Sequence, residues 1–271
     1  MTGLLSNVTR GGGHNLSCRQ LRSEAVKQGH FFCCKANVIC FNSDKIHYYK
    51  PKNGFTLAEV LVTLGIIGVV SAMTVPTLMQ NHQRKTYVTQ LHKVYNEISQ
   101  VLLQYQTDKN ALNLREAGLI SQSAVDDMMN SYFRVVKECD SMSPCFAERY
   151  RKLNGSMENE DMFSRDRKSY VLTSGASIRP SYYAEGPNKI VNMAVDINGA
   201  KGPNVQGRDL FWLYIYNNGG VDDFGDDVSV NAPLTMDERE AIYKKYCMTT
   251  EDPGSNGCFG RILNDNWEMN Y

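Results

Sequence analysis

The longest apolar run in the chain covers residues 55–75 and contains one charged residue, Glu59. A helix of these 21 residues would be about 30 Å long, which matches the hydrocarbon thickness of a bilayer. The apolar region of a secretory signal peptide is shorter, at roughly 7–15 residues. The pattern therefore predicts a membrane-spanning helix.

Beyond Pro76 the apolar residues continue at steps of three and four, with polar residues between them. This spacing is typical of an amphipathic helix. The apolar positions are Tyr87, Leu91, Val94 or Tyr95, Ile98, Val101 or Leu102, and Tyr105. We predict one helix over residues 55–108, about 80 Å long and bent near Pro76, whose second half packs its apolar stripe on a domain.

The remaining residues, 109–271, are expected to form an α+β head. Helical spacing predicts further helix over 111–137, and the polar stretch 154–168 is expected to be a loop. Aromatic and β-branched segments bounded by Gly and Pro predict antiparallel strands over 169–178, 189–197 and 209–216. The C-terminal stretch 257–271 is expected to be a turn and a short strand that buries Trp267.

Charge and histidine content exclude several functions. The formal net charge is zero, yet residues 1–54 carry eight Lys and Arg against two Asp and Glu, a net of +6, which leaves −6 for the rest. An acidic head argues against a nucleic-acid binder. No histidine follows His92, so the head lacks the imidazole of a His-based hydrolase or zinc enzyme. We expect no enzyme activity.

The charges before the apolar run indicate its orientation. Lys45, Lys50 and Lys52 precede it, with Asp44 as the one acid nearby. Positive charge favours the cytoplasmic side, so the head should lie outside the cytoplasm. The basic residues after the run, His82, Arg84 and Lys85, weaken this argument.

Glu59 lies inside the apolar helix, where a carboxylate costs about 2.5–3.5 kcal/mol and usually has a partner or a function. The sequence that begins at Gly54, GFTLAEVLVTLGIIG, resembles the processing site of type IV prepilins and type II secretion pseudopilins. The resemblance implies that a prepilin peptidase cleaves after Gly54 and methylates the new amino-terminal Phe55. It also implies that Glu59 neutralises the amine of a neighbouring subunit during assembly. Pro76 would be residue 22 of the mature chain (76 − 54), where many pilins carry a proline.

The resemblance implies a pilin fold, in which a long helix packs on a small antiparallel sheet. It also implies a structural subunit of a pilus or secretion pseudopilus in the cytoplasmic membrane, with prepilin peptidase, other subunits and lipid as partners. The insert at 110–168 makes the head larger than that of a minimal pilin, which favours a minor subunit. Residues 1–54 would be the leader, longer than is usual for the family. We therefore expect an overextended gene start and no stable structure over residues 1–40.

A second hypothesis is a membrane-anchored binding protein, such as a DNA-uptake pilin or an adhesin. It requires a basic or aromatic patch on the head. The candidate cluster contains Arg149, Arg151, Lys152, Arg165, Arg167 and Lys168. Acidic residues between these cations argue against nucleic acid as the ligand.

Four cysteines follow residue 54, namely Cys139, Cys145, Cys247 and Cys258. Disulfide bonds between them require an oxidising compartment. Sequence neighbours pair naturally, as 139–145 and 247–258. The pairings 139–247 with 145–258, and 139–258 with 145–247, stay open.

The segment that begins at Asp196, DINGAKGPNVQGRDLF, resembles a turn segment of many bacterial pilin-like proteins. Its glycines and asparagines suit tight turns with positive φ. Asp196, Asn198 and Asp209 are oxygen ligands, and further acids follow at Asp222, Asp223, Asp226 and Asp227. They motivate a calcium hypothesis, although the full EF-hand pattern is absent. No other cofactor is predicted.

Overall fold

The computed structural model describes residues 54–157, 167–248 and 256–271, together with the backbone of three short strands before residue 49. The chain divides into two compact units, residues 1–71 and 72–271.

In the first unit, three short strands form an antiparallel sheet in the order β1-β2-β3. They are β1 (Phe32–Cys34), β2 (Ile39–Asn42) and β3 (Lys45–Tyr48). The expectation of no stable structure over residues 1–40 differs from the structure at β1 and at the start of β2. Aromatic and β-branched residues in these strands favour extended backbone. The other residues of that segment lie outside the described part of the chain.

The first helix, α1, covers Leu57–Asp108 and continues through Pro76. This confirms the predicted long helix. Its buried residues recur every three or four positions from Val88 onward, which places them on one face. They are Val88, Leu91, Val94, Ile98, Val101, Leu102 and Tyr105. The predicted stripe is therefore confirmed, except that Val88 rather than the half-buried Tyr87 begins it.

The second helix, α2, covers Gln122–Tyr132 and buries Val125, Met128 and Met129. The Ser121 hydroxyl caps it by accepting a hydrogen bond from the Ala124 N–H at 3.2 Å. The prediction of helix over all of 111–137 was wrong at both ends. Turns occupy residues 111–120, where Gly118 has a positive φ, and the chain after α2 pairs as a strand.

The main sheet of the second unit has six antiparallel strands, and each strand pairs with the next one in the chain. They are β4 (Val135–Cys139), β5 (Ser169–Leu172), β6 (Ser177–Glu185), β7 (Lys189–Asp196), β8 (Leu210–Tyr216) and β9 (Val221–Asp222). The predicted strand 169–178 is two strands, because a turn with Gly175 at positive φ separates β5 from β6. Pro180 lies within β6, at a point where β5 no longer pairs with it, as expected for a proline at a sheet edge.

The C-terminal region is helical. Helix α3 covers Met236–Ile242, a π-helical turn covers Tyr243–Cys247, and helix α4 covers Cys258–Asn264. The prediction of a final strand in 257–271 was therefore wrong, and Trp267 is half-buried rather than buried. Asp223, distant in sequence, accepts hydrogen bonds from the first N–H groups of α4, and this tertiary contact favours the helix.

The core of the second unit lies between the helices and the sheet. The apolar stripe of α1 packs in one cluster with α2, with strands β5 to β9 and with α4. A smaller cluster contains Cys139, Cys145, Phe146 and Tyr150. A long amino-terminal helix with an antiparallel sheet and further helices is the α+β, pilin-like layout that the sequence predicts.

Candidate functional site

The start of α1 exposes the residues of the predicted processing site. The side chain of Phe55 is 88% exposed and that of Leu57 is 78% exposed. A Cβ placed on Gly54 would meet no atom of the described chain within 4 Å. The peptide bond after Gly54 is therefore not enclosed by the described residues.

Thr56 and Glu59 form a reciprocal cap at the start of α1. The Thr56 N–H and the Thr56 hydroxyl both donate to Glu59 Oε2 at 2.8 Å. In return, the Glu59 N–H donates to Thr56 Oγ1 at 3.2 Å. This is a capping box, which satisfies two backbone donors that a helix start leaves unpaired. The capping role of Thr56 was not among the sequence predictions, although the T-x-x-E spacing identifies it.

The apolar residues that follow are uncovered. Every residue of 55–75 is exposed in the structure. Within the described part of the chain, the helix Leu57–Asp108 is the one long and apolar enough to cross a membrane. An apolar surface of this extent requires lipid or another protein chain to cover it.

The structure pairs the cysteines of the head with their sequence neighbours. Cys139 is bonded to Cys145, and Cys247 is bonded to Cys258. The first pair links the end of β4 to the following loop, and the second links the π-helical turn to α4. No cysteine in the described ranges is free.

The loop between β7 and β8 contains the turns that its composition predicts. Gly199, Asn204 and Gly207 all have positive φ. Gly207 also lies close to the second disulfide, because a Cβ at this position would be 2.7 Å from Cys258 Sγ. Glycine is required here by both the backbone conformation and the close approach.

Asp196 and Asp209, at the two ends of this loop, are fully buried. The Asp196 carboxylate accepts hydrogen bonds from the Tyr150 hydroxyl and, at 3.1 Å, from the Asn198 N–H. Asp209 accepts from the N–H groups of Asn204 at 2.7 Å and Val205 at 2.6 Å. Burial raises the pKa of both carboxyls, that of Asp196 to about 7. These carboxylates act as internal acceptors that shape the loop.

The later acids are also used within the head. Asp222 accepts from two guanidinium nitrogens of Arg239, at 2.9 and 2.6 Å. Asp226 pairs with Lys245 at 2.6 Å, and Asp227 accepts from the Ser229 N–H at 2.7 Å. Among the described residues, no three His, Cys, Asp or Glu side chains gather in an arrangement for a metal ion. The calcium hypothesis gains no support here and stays a prediction.

Two residues of the basic cluster in the binding hypothesis already have partners within the head. Lys168 Nζ lies 2.5 Å from Glu138 Oε1, and Arg167 Nε donates to Ser181 Oγ at 3.2 Å. Arg165 lies outside the described residues. Ligand binding by this cluster stays a prediction.

One comparison with known proteins gives a match. The family model described as the prokaryotic N-terminal methylation motif matches residues 49–75, which include Gly54, Phe55 and Glu59. No curated protein and no solved structure matches the chain significantly. The motif, together with the one long apolar helix among the described residues, indicates a single-pass, membrane-anchored protein of a generally structural class. The chain thus carries the N-terminal methylation motif, which is the signature of type IV pilins and pseudopilins.

Proposed function

We propose that this chain is a structural subunit of a type IV pilus or a type II secretion pseudopilus. A prepilin peptidase cleaves it after Gly54, and its apolar helix carries it into a filament. The observation that carries this proposal is the methylation motif at residues 49–75, placed at the start of an apolar helix that the described residues leave uncovered. In the membrane, lipid covers this helix, and in the filament, the helices of neighbouring subunits cover it.

The head lies outside the cytoplasm in this proposal. Lys45, Lys50 and Lys52 precede the span, which favours a cytoplasmic leader. The two disulfides of the head suit an oxidising compartment. Both observations support the same orientation, with the leader inside and the head outside.

Glu59 recruits the subunit to the growing filament. Cleavage after Gly54 creates an amine at Phe55, and a neighbouring subunit presents this amine at the depth of Glu59. Oε2 of Glu59 already accepts two hydrogen bonds from Thr56, so Oε1 is available for the amine. Pairing the two charges offsets a cost of about 2.5–3.5 kcal/mol for each unpaired charge in lipid.

The head has a structural role in this proposal, not a catalytic one. No histidine follows residue 92, and the cysteines Cys139, Cys145, Cys247 and Cys258 form disulfides. The methylation motif at residues 49–75 makes prepilin peptidase and other pilin or pseudopilin subunits the expected protein partners.

Substitution of Glu59 tests the proposal. In the native host, Glu59→Ala should insert in the membrane as the wild type does, yet be lost from sheared filaments, because the neighbour's amine has no partner. Glu148→Ala removes an exposed carboxylate from the head and should enter filaments normally. Immunoblots of the membrane and filament fractions measure both. Normal incorporation of Glu59→Ala would contradict the mechanism.

A further inference from the structure

A cleft of about 420 Å³ lies in the second unit, where the C-terminal tail runs beside α1. Asn81, Arg84 and Lys85 line it from the helix, and Trp267 and Glu268 line it from the tail. The proposed assembly mechanism does not use these residues.

The two cations of the cleft have no partner in the described part of the chain. Neither Arg84 nor Lys85 makes an ion pair or a side-chain hydrogen bond there, and Arg84 Nε is buried without an acceptor. A buried donor without an acceptor destabilises a fold by about 1–3 kcal/mol. Glu268 is the one acid among the residues that line the cleft, so two positive charges face one negative charge. The cleft is therefore suited to an anion.

Trp267 forms a rigid wall of this cleft. Its backbone has a φ of +63°, a conformation that is rare for a bulky residue and marks functional strain in many proteins. The indole stacks on His92, with ring centroids 4.0 Å apart, and Tyr95 contacts it edge-on at 5.1 Å. The packing holds the ring in place, so it can contact the uncharged part of a ligand.

The cleft lies just beyond the apolar part of α1. Leu78 and Met79, at 66% and 58% exposed, are the last of the exposed large apolar residues before the cleft. Arg84 follows Met79 by five positions (84 − 79), a rise of about 7.5 Å along a helix. The headgroup layer on each side of a bilayer is roughly 5–8 Å thick. From Phe55 to Met79 the helix rises about 36 Å, so a tilt of roughly 35° fits this stretch to a hydrocarbon core of about 30 Å. With Met79 at the edge of the hydrocarbon in this way, Arg84 and Lys85 reach the phosphates, and tryptophan is enriched at this level of membrane proteins.

We infer that the cleft binds the phosphate headgroup of an anionic phospholipid while the subunit is in the membrane. Arg84 and Lys85 contact the phosphate, and Trp267 packs against the remainder of the headgroup. The inference rests on the proposed membrane placement of α1. It assigns the subunit a lipid ligand, which must be released when the helix leaves the bilayer for the filament.

The test measures which lipids the full chain retains. The protein is reconstituted in nanodiscs with equal phosphatidylglycerol and phosphatidylcholine, and native mass spectrometry counts the lipids that remain bound after release. The wild type should retain phosphatidylglycerol preferentially. Arg84→Gln with Lys85→Gln should lower that preference roughly thirtyfold, because each cation near an anionic membrane contributes about a fivefold effect. Arg84→Lys with Lys85→Arg keeps both charges and should retain most of the preference.

Two further variants control for net charge and for folding. Lys93→Gln with Lys109→Gln removes the same charge from α1, farther along the helix, and should leave the preference unchanged. Glu268→Gln removes the opposing acid and should increase retention of phosphatidylglycerol, a change that a misfolded head would not produce.

Three results would overturn the inference. The first is an equal preference for phosphatidylglycerol over phosphatidylcholine in the wild type and in the Arg84→Gln, Lys85→Gln variant. The second is the absence of any preference for phosphatidylglycerol in a wild-type chain that has inserted in the membrane. The third is displacement of phosphatidylglycerol by millimolar inorganic phosphate, which would identify free phosphate as the ligand. Failure of the wild-type chain to insert, measured by vesicle flotation, would overturn the proposed function as well.

Discussion

Asp223 joins the C-terminal helix to the end of β9, and its removal should destabilise the head. The side chain is fully buried. Its carboxylate accepts hydrogen bonds from the N–H groups of Phe224 at 2.7 Å, Gly257 at 2.8 Å and Gly260 at 2.6 Å. The last two belong to the first turn of α4. Asp223 therefore caps the start of α4, although it lies far from this helix in the sequence.

Two opposing contributions determine how much Asp223→Ala changes the free energy of unfolding. Asp223→Ala leaves two buried N–H groups and one part-buried N–H group without an acceptor, at about 1–3 kcal/mol each, or roughly 6 kcal/mol together. Burial also raises the pKa of Asp223 to about 6. Keeping this carboxyl ionised at pH 7 therefore costs about 3 kcal/mol relative to a solvated aspartate, and the substitution removes that cost. The expected net loss in the free energy of unfolding is about 3 kcal/mol.

Urea unfolding of the full chain in detergent, followed by tryptophan fluorescence, measures this loss. Asp223→Asn keeps one acceptor oxygen and should lie between Asp223→Ala and the wild type. Asp227→Ala is the matched control, because Asp227 is exposed and bonds only within its own turn, to Ser229. It should change the free energy of unfolding by no more than about 0.5 kcal/mol. A loss of this small size for Asp223→Ala would refute the reasoning.

The same unfolding assay tests three further predictions. Burial raises the pKa of Asp196 to about 7, so the folded state favours the protonated carboxyl. The contribution of Asp196 to the free energy of unfolding is therefore complete below about pH 4 and is lost as the pH rises through 7. Between pH 5 and pH 8 the free energy of unfolding should fall by about 2–3 kcal/mol more in the wild type than in Asp196→Asn, and parallel pH profiles of the two proteins would contradict this. Replacing Cys247 and Cys258 with Ser opens a loop with a sequence separation of 11 and should cost about 3 kcal/mol; an unchanged urea midpoint would show that the bond adds nothing. Ile98→Ala in the buried stripe of α1 should cost about 2–5 kcal/mol, whereas a cost equal to that of the exposed Leu103→Ala would place Ile98 outside the core.

The long helix was the most predictable element. Its start, its apolar run and its stripe over residues 88–105 all depend on contacts or spacings within one segment, and the structure agrees with each of them. The capping box of Thr56 and Glu59 is equally local, so it was available from the sequence as well.

The errors lie where distant residues decide the conformation. Residues 258–264 have apolar and aromatic residues that suit a strand, yet Asp223 caps them as a helix. The end of the predicted helix 111–137 instead pairs with β5 as strand β4. In both cases the deciding contact joins segments far apart in the chain, which spacing alone does not reveal.

The functional sites also differ in whether they depend on one segment of the chain or on distant segments. Gly54, Phe55 and Glu59 lie within one short motif that the family model matches, so the sequence alone proposes them, and their roles stay predictions. The cleft of Arg84, Lys85 and Trp267 joins α1 to the C-terminal tail. It exists only after the tail has folded back along the helix, and no local pattern predicts it.

Processing after Gly54 is the central claim, and mass analysis tests it most directly. The protein is purified from its native membrane, and its intact mass and amino-terminal residue are determined. We predict a chain that begins at N-methylated Phe55, which supplies the amine that pairs with Glu59 of a neighbouring subunit. A chain that retains the residues before Phe55 would contradict the account, because Glu59 would then have no amine partner.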